Sequence, residues 1–147
     1  MIEFLLAGVP LLLLILAIVQ LSLLWAGKSA IDTAAHLAAR KFARIAREDF
    51  RMAREMAFLE ALQVCQNRPG GSFGSAAMTA LDVTKGGERG ANRAEAGEAL
   101  CVRLTHGVEL VVPWIDRILF TLSPGKKIRL GGHYYLMLQS SRWVTVE

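Results

Sequence analysis

Few side chains in this sequence are suited to covalent, acid–base or metal chemistry, and their spacing argues against each. His36, His106 and His133 fall by pattern on a helix, a turn and a strand. Neither they nor Cys65 and Cys101 stand at the short intervals that a metal site requires. Ser140 and Ser141 lack the strand–turn–helix glycine frame of a nucleophile elbow, and Asp116 is a lone carboxylate. Gly86, Gly87 and Gly90 come without the Walker pattern or a preceding strand, so a phosphate loop is not expected. The expectation is a protein that is not an enzyme: no catalytic residue, no metal, no cofactor and no small-molecule substrate. Glu3 is of another kind. A carboxylate beside a long apolar run sits at the edge of hydrocarbon, where it is costly unless it finds a cation or a proton. Its plainer role is an interfacial acid favoured by the positive end of a helix dipole.

The element that positions Glu3 is the apolar run itself. Phe4 to Ala26 is a stretch of 23 residues without a charge, of which 19 are apolar. As a helix it would measure about 34 Å, enough to cross a hydrocarbon core of about 30 Å. A cleaved signal peptide has a shorter core of about 7 to 15 residues behind a basic region, and neither feature is present. Trp25 closes the run where an interfacial aromatic belongs, while Trp114 and Trp143 read as packing anchors. All 17 Lys and Arg residues but only 12 of the 13 acids follow Ala26, so the remainder carries +5. Arg40, Lys41, Arg44, Arg47, Arg51 and Arg54 hold much of that charge. With no zinc-finger spacing or RNA-recognition signature they read as a solvated helix face, and no nucleic acid is expected.

The helical pattern continues beyond the apolar run. Ala35, Ala38, Phe42, Ala46, Phe50, Ala53, Ala57, Ala61 and Val64 recur at steps of three and four with no proline from Ile31 to Val64. One helix of about sixty residues is expected, with a transmembrane part over 1–27 and an extramembrane part over 28–66. Pro69, Gly70, Gly71 and Ser72 end it. A Gly-rich loop is expected over 67–98, with short helices near Ala76–Leu81 and Ala94–Leu100. Over 99–147 the period falls to two, which marks a small antiparallel sheet. Leu100, Val102 and Leu104 would form a hairpin with Val108, Leu110 and Val112 across a Thr105–His106–Gly107 loop. A short helix over Trp114–Leu122 and a strand region from Lys127 to Val146, interrupted at Gly131–Gly132 and again near Ser140, complete the chain. The fold class expected is α+β, a long N-terminal helix packed on a small C-terminal sheet. A disulfide between Cys65 and Cys101 would close a loop of about 36 residues and stabilise the fold by about 3.8 kcal/mol.

The order Ile2, Glu3, Phe4, Leu5, Leu6, then Pro10 and a run of leucines and isoleucines, then Lys28, Ser29, Ala30, Ala34, Ala35, Ala38, Ala39 and Arg40 resembles the N-terminal signature of TadE-like proteins. Those are minor pilins or pseudopilins of the Tad (tight adherence) branch of type IV pilus machinery. The resemblance is carried by Met1 to about Ala43. It implies a pilin-like fold and a role in pilus assembly, in cell adhesion or a protein-secretion filament. The implied partners are other pilin or pseudopilin subunits, the assembly machinery and the membrane. It also implies that Glu3, with Phe4 and Pro10 beside it, serves assembly, the carboxylate pairing with a neighbour's N-terminal amine. In the family the glutamate is fifth after the prepilin cleavage point, behind a basic stretch and a glycine. Here it is third, which leaves open a numbering that starts inside the mature protein and a chain that no prepilin peptidase processes.

Two functions from different classes follow. One is an assembling subunit; the other is a single-pass, membrane-anchored accessory or binding module that does not polymerise. Lys28, Arg40, Lys41 and Arg44 just after the span would place the body in the cytoplasm by the positive-inside rule. The resemblance implies the opposite: a bacterial inner-membrane anchor with the C-terminal domain periplasmic, or extracellular in a filament. A second cysteine to pair with the first suits that oxidising side.

Overall fold

The computed structural model describes residues 2–66, 76–85, 88–89 and 93–147, and the side chains of these except 2–6 and 88–89. Helix α1 runs over Ile2–Ile45 and α2 over Phe50–Gln66. Strands β1 (Ala80–Lys85), β2 (Glu88–Arg89) and β3 (Ala99–Leu110) follow. Then come helix α3 (Ile115–Leu122) and strands β4 (Lys127–Leu130) and β5 (His133–Thr145). The strands form one antiparallel sheet in the order β2-β1-β3-β5-β4. The α+β class is as expected.

The expected single sixty-residue helix is two helices. Residues 46–49 turn, and α2 folds back along α1, with the rings of Phe42 and Phe50 meeting edge to face at 5.2 Å. No glycine or proline marks the break. Asp49 makes it: its Oδ1 accepts the Met52 backbone N–H at 3.0 Å, an N-cap that satisfies one of the donors a new helix leaves open. The stripe read as one face of one helix is therefore two facing stripes. Ala34, Ala35, Ala38 and Ala39 of α1 and Ala53, Ala57 and Ala61 of α2 are all buried in one core. Side chains that small let the helix axes approach closely. The far side of the same α1 segment receives the sheet through Leu81, Val83, Leu100, Val102 and Leu104, in the same core. The arginines remain outside: Arg40, Arg44, Arg47, Arg51 and Arg54 are exposed.

β1 lies inside the segment expected to be loop, and the expected helix over Ala94–Leu100 is absent. The alternation Leu81, Val83 against Asp82, Thr84 was its signal, and pairing along all of β1 to β3 secures it. The expected hairpin across Thr105–Gly107 does not form either. β3 runs unbroken through Gly107, and Leu104 lies between Leu81 and Ser140 rather than opposite Val108. Gly107 serves packing, since a Cβ there would stand 2.9 Å from the Cβ of Met78. The tight turn is Gly131–Gly132, where φ is +57° and +89° and Leu130 pairs with His133. Two successive positive φ values are what a two-residue hairpin turn demands. β5 continues without a break through Ser140. Pro69, Gly70, Gly71, Ser72, Gly86, Gly87 and Gly90 lie outside the described residues.

The sheet runs along α1 with β3 antiparallel to it. At one end the Glu147 N–H donates to the carbonyl of Ala43 at 3.3 Å. Further down, Val108 packs on Gly27, where a Cβ would come within 3.0 Å of its methyl. Lys28 Nζ donates to Asp32 Oδ1 at 3.1 Å and to the carbonyl of Gln139 at 2.8 Å, tying helix to β5.

Candidate assembly surface

Toward the lower part of its contact with α1 the body meets a polar residue. Gln20, fully buried, accepts the backbone N–H of Val112 on Oε1 at 2.8 Å. That bond caps the chain where β3 has ended and α3 is about to begin. Gln20 is not among the candidates that the sequence points to, although it is the only amide side chain in the apolar run. A lone amide inside such a run is the signal that could have found it.

Over residues 7–19 most side chains of the helix are exposed. Val9, Leu11, Leu12, Leu14, Ile15, Ile18 and Val19 are exposed and spread over more than half of the circumference, while Leu13, Leu16 and Ala17, on the side of Gln20, are half-buried. A helix that is apolar all round is stable only with apolar surroundings. The helix is long and apolar enough to cross a membrane, its most apolar window having a mean hydropathy of 2.5 with 6% of it buried. Pro10 sits exposed inside the helix and supplies no N–H to the carbonyl of Leu6, so one rung of the ladder is missing. Glu3 and Phe4 occupy the first turns of α1, where only the backbone is described. Glu3, Phe4 and Pro10 thus stand within the first three turns of one apolar helix.

The remaining candidates do not converge. His36 is exposed on α1. His133 Nδ1 lies 2.7 Å from Glu109 Oε1 across β3 and β5. His106 is buried, with Nδ1 2.7 Å from the hydroxyl of Thr79, and that burial pushes its imidazole below the usual histidine range. Ser140 is buried on β5, and Asp116 opens α3. Among the described residues no three His, Cys, Asp or Glu side chains gather as a metal would require.

The expected Cys65–Cys101 disulfide is not formed. Strand parity explains why. Leu100 and Val102 enter the helix-facing core together with Cys65, whereas Cys101 between them points to the other face of the sheet, beside Thr84 and Trp143. Both cysteines are buried, with the sheet between them. A bridge needs Cα atoms within about 7 Å and converging Cβ vectors.

Fold and surface together define a small α+β body carried on an apolar helix of membrane-spanning length. Residues 1–40 match the family model of TadE-like protein, a stretch that covers nearly all of α1 and none of the sheet. No curated protein and no solved structure matches the chain.

Proposed function

We propose that this chain is a minor pilin or pseudopilin that joins a Tad or type IV-like filament through the free end of α1. Its role is structural rather than enzymatic. The observation that carries this reading is a coincidence of limits. The family match spans residues 1–40, and within that span the apolar side chains over residues 7–19 are mostly exposed. Apolar side chains all round that stretch can exchange lipid for the helices of neighbouring subunits at little cost, because both surroundings are apolar. Specificity then has to come from polar groups. Glu3 supplies one, pairing with a neighbour's N-terminal amine in the assembly and reaching toward the interface in the lone subunit. The missing rung at Pro10 loosens the helix between Glu3 and the body and lets the first turns adjust as subunits pack.

The anchor belongs in this reading to a bacterial inner membrane, with the body on the periplasmic side. Without a disulfide the cysteines lend that orientation no support, and it rests on the family resemblance alone. The test is co-purification. Glu3→Ala should insert into membranes and keep its folded body, yet no longer co-purify with pilus or secretion components. Co-purification equal to that of the unaltered chain would favour a membrane-anchored accessory module that does not polymerise.

A further inference from the structure

We propose that α3 lies on the membrane surface and holds the body down against the bilayer that α1 crosses. The proposal rests on α1 as a membrane anchor and is independent of the filament reading.

Helix α3 has its apolar side chains on two faces. Ile115 points inward and is buried, and Phe120 stacks on Tyr134 with ring centroids 4.8 Å apart. Trp114, Ile118 and Leu122, spaced at four residues and so on one face, point outward and are 64%, 47% and 73% exposed. Val111 just before the helix and Leu130 at the tip of the β4–β5 hairpin are exposed as well. The body thus shows water a group of large apolar side chains where α3 packs against α1. Trp114 is held there at a backbone cost. It is the one non-glycine residue with positive φ among the described residues, at +72°, a conformation that costs about 1–3 kcal/mol for such a side chain.

Position along α1 identifies what covers this face. The Gln20–Val112 hydrogen bond pins the start of α3 to α1, and Glu3, the charge that bounds the apolar run, stands about 26 Å along the helix from Gln20. When α1 crosses a hydrocarbon core of about 30 Å, the level of Gln20 falls at the boundary between acyl chains and headgroups. Trp25 lies about 7.5 Å further along the axis and is 80% exposed. The outward face of α3 therefore meets the bilayer at the depth where amphipathic helices bind. Charge is complementary to anionic phospholipid. Arg117, Lys126, Lys127 and Arg129 are exposed around the helix, and Asp116 is the one acid on it. Lys127 Nζ also donates to the carbonyls of Phe120 and Ser123, at 2.6 and 3.3 Å, placing a cation at the helix's C-terminal end. A second copy of the chain is the rival occupant, and the test below distinguishes it from lipid.

The three tryptophans provide the test. Trp143 is 68% exposed but stands on β5 toward the far end of the sheet, opposite Cys101. The full chain is reconstituted in vesicles of phosphatidylcholine and phosphatidylglycerol, with one tryptophan kept at a time and the other two replaced by phenylalanine. Lipids brominated near the headgroup should quench Trp114 about as well as Trp25 and roughly fivefold more than Trp143, with aqueous iodide giving the reverse order. The exposed pair Ile118→Glu and Leu122→Glu should make Trp114 accessible to iodide and leave Trp25 quenched by lipid. Trp114 open to iodide in the unaltered chain would overturn the proposal. So would a Trp114 shielded from both quenchers, which would mean that protein covers it. Loss of lipid quenching at Trp25 would instead remove the anchor itself.

Discussion

Helix α1 holds two regions that obey opposite rules. From Val9 to Val19 the side chains are large, mostly leucine, isoleucine and valine, and most are exposed. From Ala30 to Ala46 seven of the seventeen are alanine, and the residues on the packed faces are at most 4% exposed. Water alone cannot account for the difference, because burying a leucine stabilises far more than burying an alanine. The large side chains suit apolar surroundings such as a bilayer, whereas the small ones let protein approach closely. One helix thus has the length and composition of a membrane anchor at one end and is a packing spine at the other, with Gln20 between them.

The largest expected effect divides these regions. Phe42 is fully buried between the two helices and the sheet, so Phe42→Ala should destabilise the body by about 3–5 kcal/mol. Leu14→Ala, in the bare region, should change it by less than about 0.5 kcal/mol. Denaturant midpoints of the full chain in detergent measure both, and equal losses would erase the distinction. At the boundary, Gln20→Leu leaves the Val112 N–H buried without its acceptor. It should cost about 1–3 kcal/mol and raise amide exchange selectively around α3. Asp49→Ala should cost about 1 kcal/mol by removing the N-cap of α2. If that loss is nil, the turn is held by packing alone.

The smallest effect depends on pH. Burial disfavours the charged form of His106, so its folded pKa lies below the ordinary value of about 6.5. The unfolded chain then binds the proton more readily. Stability is complete above that value and falls as pH drops through the window down to the folded pKa. A His106→Gln variant should lack this slope, and a slope shared by both would assign it to another group.

Much of this architecture was legible in the sequence, and the failures have identifiable causes. The period of three to four from Ala35 to Val64 located both buried stripes but could not say whether they lie on one helix or on two that face each other. Only Asp49 carried that information, through a capping bond that periodicity does not register. The hairpin failed at Gly107 because a glycine in a strand serves close approach as well as turning, and Met78 is remote in sequence. Gly131–Gly132, flanked by residues that pair, was read correctly as an interruption. The disulfide failed on parity, since pairing Cys65 with Cys101 ignored the face on which Leu100 and Val102 had already placed their neighbour. Glu3, Phe4 and Pro10 came from a pattern of residue types. The role proposed for them lies in contacts between chains, which one chain's fold does not contain.

That role can be read most directly by photo-cross-linking in cells, with a photoreactive phenylalanine derivative in place of Leu14. Assembly through the bare end of α1 predicts adducts to the apolar helices of other pilin-type subunits, lost when Glu3→Ala is added while insertion persists. Adducts to lipid alone, unchanged by Glu3→Ala, would contradict it and leave α1 an anchor and nothing more.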